Sequence, residues 1–404
     1  MLNRRRFLAA AAGAIAGVVG AGFPLPAAAD ERLVPLGRQP AGLPVRQHAW
    51  VGTLPTDSHG NPVAPRFDRL LFFDVPGKPN AAGVRALEAS LRTLERAYPW
   101  GPQGLLFTVG WSPHYFEHVL GVGSPIPHAT ELSDFELPTF DDYDLCIHLA
   151  CDDEQRLADV EAGLVHGLGS GTLRWRETRT GFVGAGLAAA HQHVNGIPGG
   201  DPVPASSPLF MGFKSGFKKN QASEDDVTIV DGPFAGGTTM HVSYMRLRLD
   251  SWYGLLNEKE RTARMYAPEV TPGDVARFTD DAPSDPGKYA RAAARYGVVG
   301  HSQTSGRARR DGKPLIIRRD FNTVDGGLAG LHFVAVQKSI ADFVTTRKAM
   351  NAANASLLNP AITDTVNNGI NEFIFVLRRA NYILPSRARR SFPLYPGQAA
   401  ALSE

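Results

Sequence analysis

A chain of 404 residues exceeds the 50 to 250 residues of an ordinary domain, so two domains or one duplicated unit is expected. Its 43% hydrophobic and 20% charged residues are those of a globular protein. Forty-two basic against 40 acidic residues leave a formal charge of +2, which gives no basis for a nucleic-acid surface and points to small-molecule or protein partners.

In chain order, the first thirty residues read as a targeting segment. Asn3-Arg4-Arg5-Arg6-Phe7-Leu8 sets paired arginines before an apolar run reaching Phe23, and Ala27-Ala28-Ala29 offers the small residues of a cleavage site. This is similar to a twin-arginine export signal, with Asn3 and Ala9 where other residues are commoner. A membrane anchor is the alternative, but the run is short of the roughly 20 residues needed to span and is rich in Gly and Ala. Twin-arginine export carries folded proteins, which suits a cofactor inserted before export and an extracellular or cell-envelope destination.

Arg32 to Pro65, with GRQPAGLP at Gly37 to Pro44, reads as an ordered arm wrapping the domain. Phe67 to Val75 is expected as a strand, Ala81 to Tyr98 as a helix with Val84, Leu87, Leu91, Leu94 and Tyr98 on one face, and Gly104 to Gly110 as a second strand. Tyr143 to Ala150 follows as a strand, then a helix from the acidic Asp152-Asp153-Glu154 to about Leu168, then a strand over Thr172 to Thr178. Cys146 and Cys151, five apart on or beside one strand, point to opposite faces and read as packing residues.

That β-α-β, insertion, β-α-β order is the split arrangement of a ferredoxin-like unit, and the second half repeats it. Its expected elements are strands over Thr238 to Leu249, Pro314 to Asp320, Gly330 to Gln337 and Phe373 to Leu377, with helices over Trp252 to Met265 and Ser339 to Ala353. The expected fold is therefore α+β: two ferredoxin-like units in tandem duplication, with antiparallel sheets and peripheral helices. The expected divisions are a signal peptide over 1–29, an N-terminal ferredoxin-like unit over 30–180, a connecting and distal-pocket loop over 181–236 and a C-terminal unit over 237–404. Gly181 to Pro233 and Ala267 to Lys313 are too long for simple connections.

Four motifs carry chemistry. GFVGAG at Gly181 to Gly186 has the glycine content of a phosphate cradle, but such loops need a parallel βαβ frame, and this one is antiparallel. His191 and His193 supply two imidazoles without a third ligand nearby, which favours solvated loop residues over a closed metal site. His301, at the mouth of a basic loop in VVGHSQTSGRARR, is open between a structural and a ligating role. Arg318 and Arg319 in PLIIRRDF take opposite faces of a strand; an inward guanidinium is costly unless it is paired or used.

GRQPAG, LLFTVGWSPHYF at Leu105 to Phe116, YDLCIHLACDDEQ at Tyr143 to Gln155 and LIIRRDFNTVDGGLAGLHFVAVQ at Leu315 to Gln337 together resemble the dye-decolorising peroxidase family, especially its twin-arginine-exported branch. The resemblance covers nearly all of the mature chain. It implies two ferredoxin-like units with haem b in the second, His301 on the haem iron, Arg318 (with Arg319 as alternative) stabilising charge as the O–O bond of peroxide breaks, and Glu372 as a partner of the ligating histidine. Where the family's loop reads Gly-Phe-x-Asp-Gly, this chain reads Gly181-Phe182-Val183-Gly184-Ala185, so Gly184 stands in the place of the proton-shuttling aspartate. The resemblance implies a peroxidase, using hydrogen peroxide and an electron donor, with activity reduced by that loss. Two rivals stand beside it: a haem-binding or iron-delivery protein, with His191 or His193 on the iron, and a scaffold without haem. The export machinery is an implied partner, and a homo-oligomer stays open.

Overall fold

The computed structural model describes residues 42–394 apart from 170, 216, 276–287 and 352–353. The segment expected as an export signal and the start of the arm lie outside the described residues. Twelve strands are present: β1 (Phe67–Asp74), β2 (Leu106–Trp111), β3 (Thr139–Phe140), β4 (Leu145–Cys151), β5 (Arg174–Phe182), β6 (Thr238–Leu247), β7 (Arg309–Arg310), β8 (Lys313–Pro314), β9 (Ile316–Arg318), β10 (Phe321–Thr323), β11 (Gly330–Gln337) and β12 (Ile374–Leu384).

The two halves do not form separate sheets. Strands β10, β5, β1, β4, β2, β12, β6 and β11 hydrogen-bond in that order, and β11 pairs back to β10, which closes the sheet. In each half the first and third long strands lie at the centre of their group of four, β1 with β4 and β6 with β11. The expected α+β class with antiparallel pairing is present, but the strands expected as two ferredoxin-like units join in one closed sheet, and closure removes the unpaired edges that two open sheets would leave.

Closure explains the composition of the strands. Leu70 and Phe72 of β1 point inward to Cys146, Met240, Val242, Phe321, Val334, Tyr382 and Leu384, while Leu71 and Phe73 point outward to Leu87 and Leu91 of the helix Ala81–Ala97 and to Leu157 and Leu164 of the helix Glu154–Leu168. Both faces of these strands are covered, so FDRLLFFD is nearly continuous in apolar residues instead of alternating. The helices begin at side-chain caps, Asn80 on Gly83 N (2.8 Å) and Asp153 on Arg156 N (3.0 Å). Cys146 faces the interior and Cys151 the helices; both are buried and free.

The described part of the arm is tied across the join of β2 and β12, where only Ile383 and Trp111 pair directly. Gln47 acts there as a strand residue would: its Oε1 accepts from Val109 N (2.9 Å) and its Nε2 donates to Val109 O (3.2 Å) and Pro385 O (2.8 Å).

Three elements differ from expectation. The helix expected over Trp252 to Met265 is two helices, Leu249–Gly254 and Glu258–Met265, because Asn257 and Glu260 form a capping box that restarts the chain. The strand expected over Pro314 to Asp320 shortens to β9, with Asp320 between β9 and β10. Strand β12 runs on to Leu384, past Arg378, Arg379 and Asn381, whose polar groups are taken up by Asp141, Glu136 and His241.

Candidate functional site

A large cavity opens on the outer face of the second half, with about 1520 Å³ of empty space including its mouth. Period-2 alternation builds its floor: Ser243, Met245 and Leu247 of β6, Leu331 and Phe333 of β11, and Ile374 and Val376 of β12 all turn to this face. The segment from Leu209 to Phe217 covers one side, and the helices His301–Ser305 and Ile340–Lys348 cover another. The lining is mostly apolar with a few convergent polar groups, the character of a ligand site.

His301 begins its helix and is fixed by two close approaches. A Cβ on Gly300 would lie 1.9 Å from Tyr266 O, and one on Gly369 would lie 2.9 Å from both Cα and N of His301. Gly369 also has φ +54° and donates to Val299 O (2.8 Å), so only glycine fits this clamp. The imidazole faces the cavity, and its Nδ1 has no hydrogen-bond partner among the described residues. Burial, and then the charges of Arg318 and Arg347, hold its pKa down to about 3. It is therefore neutral at ordinary pH, with a lone pair free for a metal. Glu372, expected as its partner, instead lies 4.0 Å from Arg264, because Asn371, Phe373 and the residues after them turn into β12.

Arg318 lines the cavity and Arg319 does not. Arg318 is held by its backbone, which pairs with Ala335 of β11 and exchanges hydrogen bonds with the Gln221 amide (2.7 and 3.4 Å). No carboxylate within 4.0 Å pairs with its guanidinium among the described residues, and its Nε has no partner. Arg319 turns to the opposite face, donates to His48 O (2.5 Å), stacks over Trp50 (3.8 Å) and stands 3.9 Å from Glu224. Burial lowers its pKa to about 10.

Gly184 is not part of the cavity wall. It has φ +140°, and its amide donates to Pro208 O (3.3 Å). His191 stacks on Phe182 (4.0 Å between ring centres) and bonds Leu187 O (2.8 Å), while His193 is 80% exposed beside Asp201. Neither ring lines the cavity. No cluster of three or more His, Cys, Asp or Glu suited to a metal occurs among the described residues.

Four functional positions escaped the sequence reading. Arg347 and Arg379 line the cavity and share one carboxylate, Glu136, at 2.5 and 2.8 Å, so the long insertion of the first half reaches the site in the second. Asn322 bonds Phe210 N (2.8 Å), Pro208 O (2.9 Å) and Phe182 O (3.1 Å), which ties the covering segment to β5. Asp320 is the acidic residue of the lining. The one available signal was spacing, since Arg318, Asp320 and Asn322 share a parity.

A model of a family of unknown function (DUF7405) matches residues 65–386. No curated protein matches the sequence. Among solved structures, the chain is similar to a dye-decolorising protein from V. cholerae (18% identity, TM-score 0.54, covering 85% of this chain and 99% of that one). It is also similar to a DyP-type peroxidase from Cellulomonas bogoriensis (19%, 0.56, 84% and 96%). A DypB variant from Rhodococcus jostii RHA1 in complex with haem matches at 14% identity and TM-score 0.56, over 86% and 98%. At these identities the likeness is one of fold.

Proposed function

We propose, for a chain that belongs to this family of unknown function, that the cavity binds haem b through His301 and that the protein is an exported peroxidase of the dye-decolorising type. The observation that carries the reading is the pairing, in one apolar cavity, of a neutral histidine without a hydrogen-bond partner and an arginine without a carboxylate partner. Both are costly to bury unless a ligand takes them up.

The residues fit the group. His301 would hold the iron, the apolar floor of Met245, Leu331, Phe333, Ile374 and Val376 would pack the macrocycle, and Arg309, which has no carboxylate partner within 4.0 Å among the described residues, would receive an acidic edge. Haem, when bound, supplies the electrons that cleave peroxide and the oxidising power that then acts on a donor. Arg318 would orient peroxide and stabilise negative charge on the departing oxygen. The paired Arg347 and Arg379 keep positive potential along the wall. The paired arginines at Arg4 and Arg5 support export by the twin-arginine route, which Arg4→Lys with Arg5→Lys tests by blocking secretion.

Gly184 favours a second reading, haem binding without efficient turnover. Haemin titration separates the cases. The wild-type protein is expected to develop a Soret band that His301→Ala loses, and Arg318→Leu to retain the band while its peroxidase rate falls about 10²- to 10³-fold. Equal haem uptake by His301→Ala overturns the haem reading; uptake without peroxide consumption favours the second reading.

A further inference from the structure

Asp320 has no structural employment that the fold explains. It is the acidic residue lining the cavity, alongside His301 and Arg318. Apart from its own backbone amide, its carboxyl has no hydrogen bond and no ion pair within 4.0 Å among the described residues. Other carboxylates of this half and its neighbours are committed: Glu136 to Arg347 and Arg379, Asp68 to His148 (2.8 Å), Asp325 to His332 (2.9 Å). A carboxyl turned into an apolar cavity without a partner is a cost that chains keep chiefly at working sites.

Its position is also specific. Phe182 and Asn322 pair antiparallel where β5 meets β10; Gly184 lies two residues after Phe182 and Asp320 two residues before Asn322. The loop residue that lacks an acid and the cavity residue that has one therefore flank the backbone pair at which Asn322 ties the two segments together. The charged groups around Asp320 are Arg318 in the cavity, which favours its ionised form, and the Asp68–His148 pair, which feels its charge; Arg319 faces away toward Trp50. Burial pushes the Asp320 carboxyl above the usual carboxylate range against the pull of Arg318.

We infer that Asp320 is the acid–base residue of this cavity, taking a proton from hydrogen peroxide and returning it, in a chain whose loop carries no acid at Gly184. The inference rests on the haem reading above. In the step, one oxygen of HO–OH gives its proton to the Asp320 carboxylate. The carboxyl delivers that proton to the other oxygen, and the O–O bond breaks with that oxygen leaving as water. The departing water takes the O–O bonding pair, two electrons from bound haem would make good the oxygen atom left behind, and the carboxylate is regenerated unprotonated, ready to act again.

Two measurements test this, one of which needs no haem. In haem-free protein labelled with [¹³C]carboxyl aspartate, wild type is expected to show a carboxyl resonance titrating above the ordinary range, absent in Asp320→Asn. In haem-loaded protein, hydrogen cyanide must shed a proton to bind as the anion. Asp320→Asn is expected to slow its association about 10²-fold with the Soret band intact, and Asp320→Glu to restore most of the rate. Intact haem uptake with an unchanged cyanide rate, or no raised resonance, overturns the inference alone. Absence of His301-dependent haem uptake overturns the underlying reading and the inference with it.

Discussion

Asn322 on β10 stands opposite Phe182 on β5, and this one backbone pair joins the two halves on that side of the closed sheet. The same asparagine anchors the segment that covers the cavity, through Phe210 N and Pro208 O. It is fully buried, so removal strands one amide and two carbonyl groups away from water. Asn322→Ala is expected to cost about 2–4 kcal/mol, at about 1–3 kcal/mol for each buried group left without a partner once partial relaxation is allowed. Thermal unfolding checks the stability loss. Haem titration is expected to show weakened uptake as well, since Phe210 loses its tether; unchanged uptake would separate the tether from the site.

Gly369 governs the placement of His301 without touching a ligand. Its φ of +54° and the 2.9 Å approach of a virtual Cβ to the His301 backbone leave no room for a side chain. Gly369→Ala is expected to destabilise by about 1–3 kcal/mol and to displace the helix His301–Ser305. If His301 holds haem iron, the variant will bind haem with an altered spectrum, whereas Gly327→Ala, at an exposed turn with nothing within 4 Å, will show strain alone.

Much of this was legible in the sequence, for reasons that particular residues make clear. Strand β11, GLHFVAVQ, is apolar apart from His332 between a glycine and a glutamine, so its ends are marked. His301 and the two faces of Arg318 and Arg319 followed from the resemblance and from strand parity. The second half of β12 was hidden because Arg378, Arg379 and Asn381 look like solvent-facing residues, and only partners more than 130 positions away make them internal. Sheet closure was hidden for the same reason, since one pair on one side and one on the other carry no local signal. Asp320 follows two arginines and reads as part of a solvated charge cluster until the cavity is seen.

Restoring an acid at Gly184 is the obvious engineering step, and its backbone opposes it. With φ +140°, the position favours glycine, although a Cβ there would meet nothing closer than Leu187 Cδ1 at 3.7 Å. Both Gly184→Ala and Gly184→Asp are therefore expected to lose about 1–3 kcal/mol from conformation rather than from a clash. Equal destabilisation of the two in thermal melts would assign the loss to backbone strain. A gain in peroxidase rate unique to Gly184→Asp would show that a carboxylate can still act from the loop.

Acid sensitivity should come from histidines buried in the neutral state. His48 bonds Thr228 (2.9 Å), and His241 lies between Asn381 and Ser243 (2.7 Å each) and stacks on Phe343 at 3.6 Å. Burial leads in lowering each pKa to about 3, with Arg319 and Arg46 adding to it for His48 and Arg379 for His241. The unfolded chain takes up these protons from about pH 6.5 downward while the folded chain refuses them until about pH 3, so the unfolded state binds more protons throughout that window. Stability is therefore full above about pH 6.5 and falls as pH drops, by about 1.4 kcal/mol per pH unit for each histidine, or about 2 kcal/mol each by pH 5. His241→Gln, which keeps hydrogen-bonding groups for Asn381 and Ser243 but cannot titrate, is expected to flatten the slope of unfolding free energy between pH 6 and 5 by about 1.4 kcal/mol per unit. An unchanged slope in urea melts would mean that His241 is already protonated in the folded protein, and its stacking on Phe343 would then need to be explained as a cation on a ring.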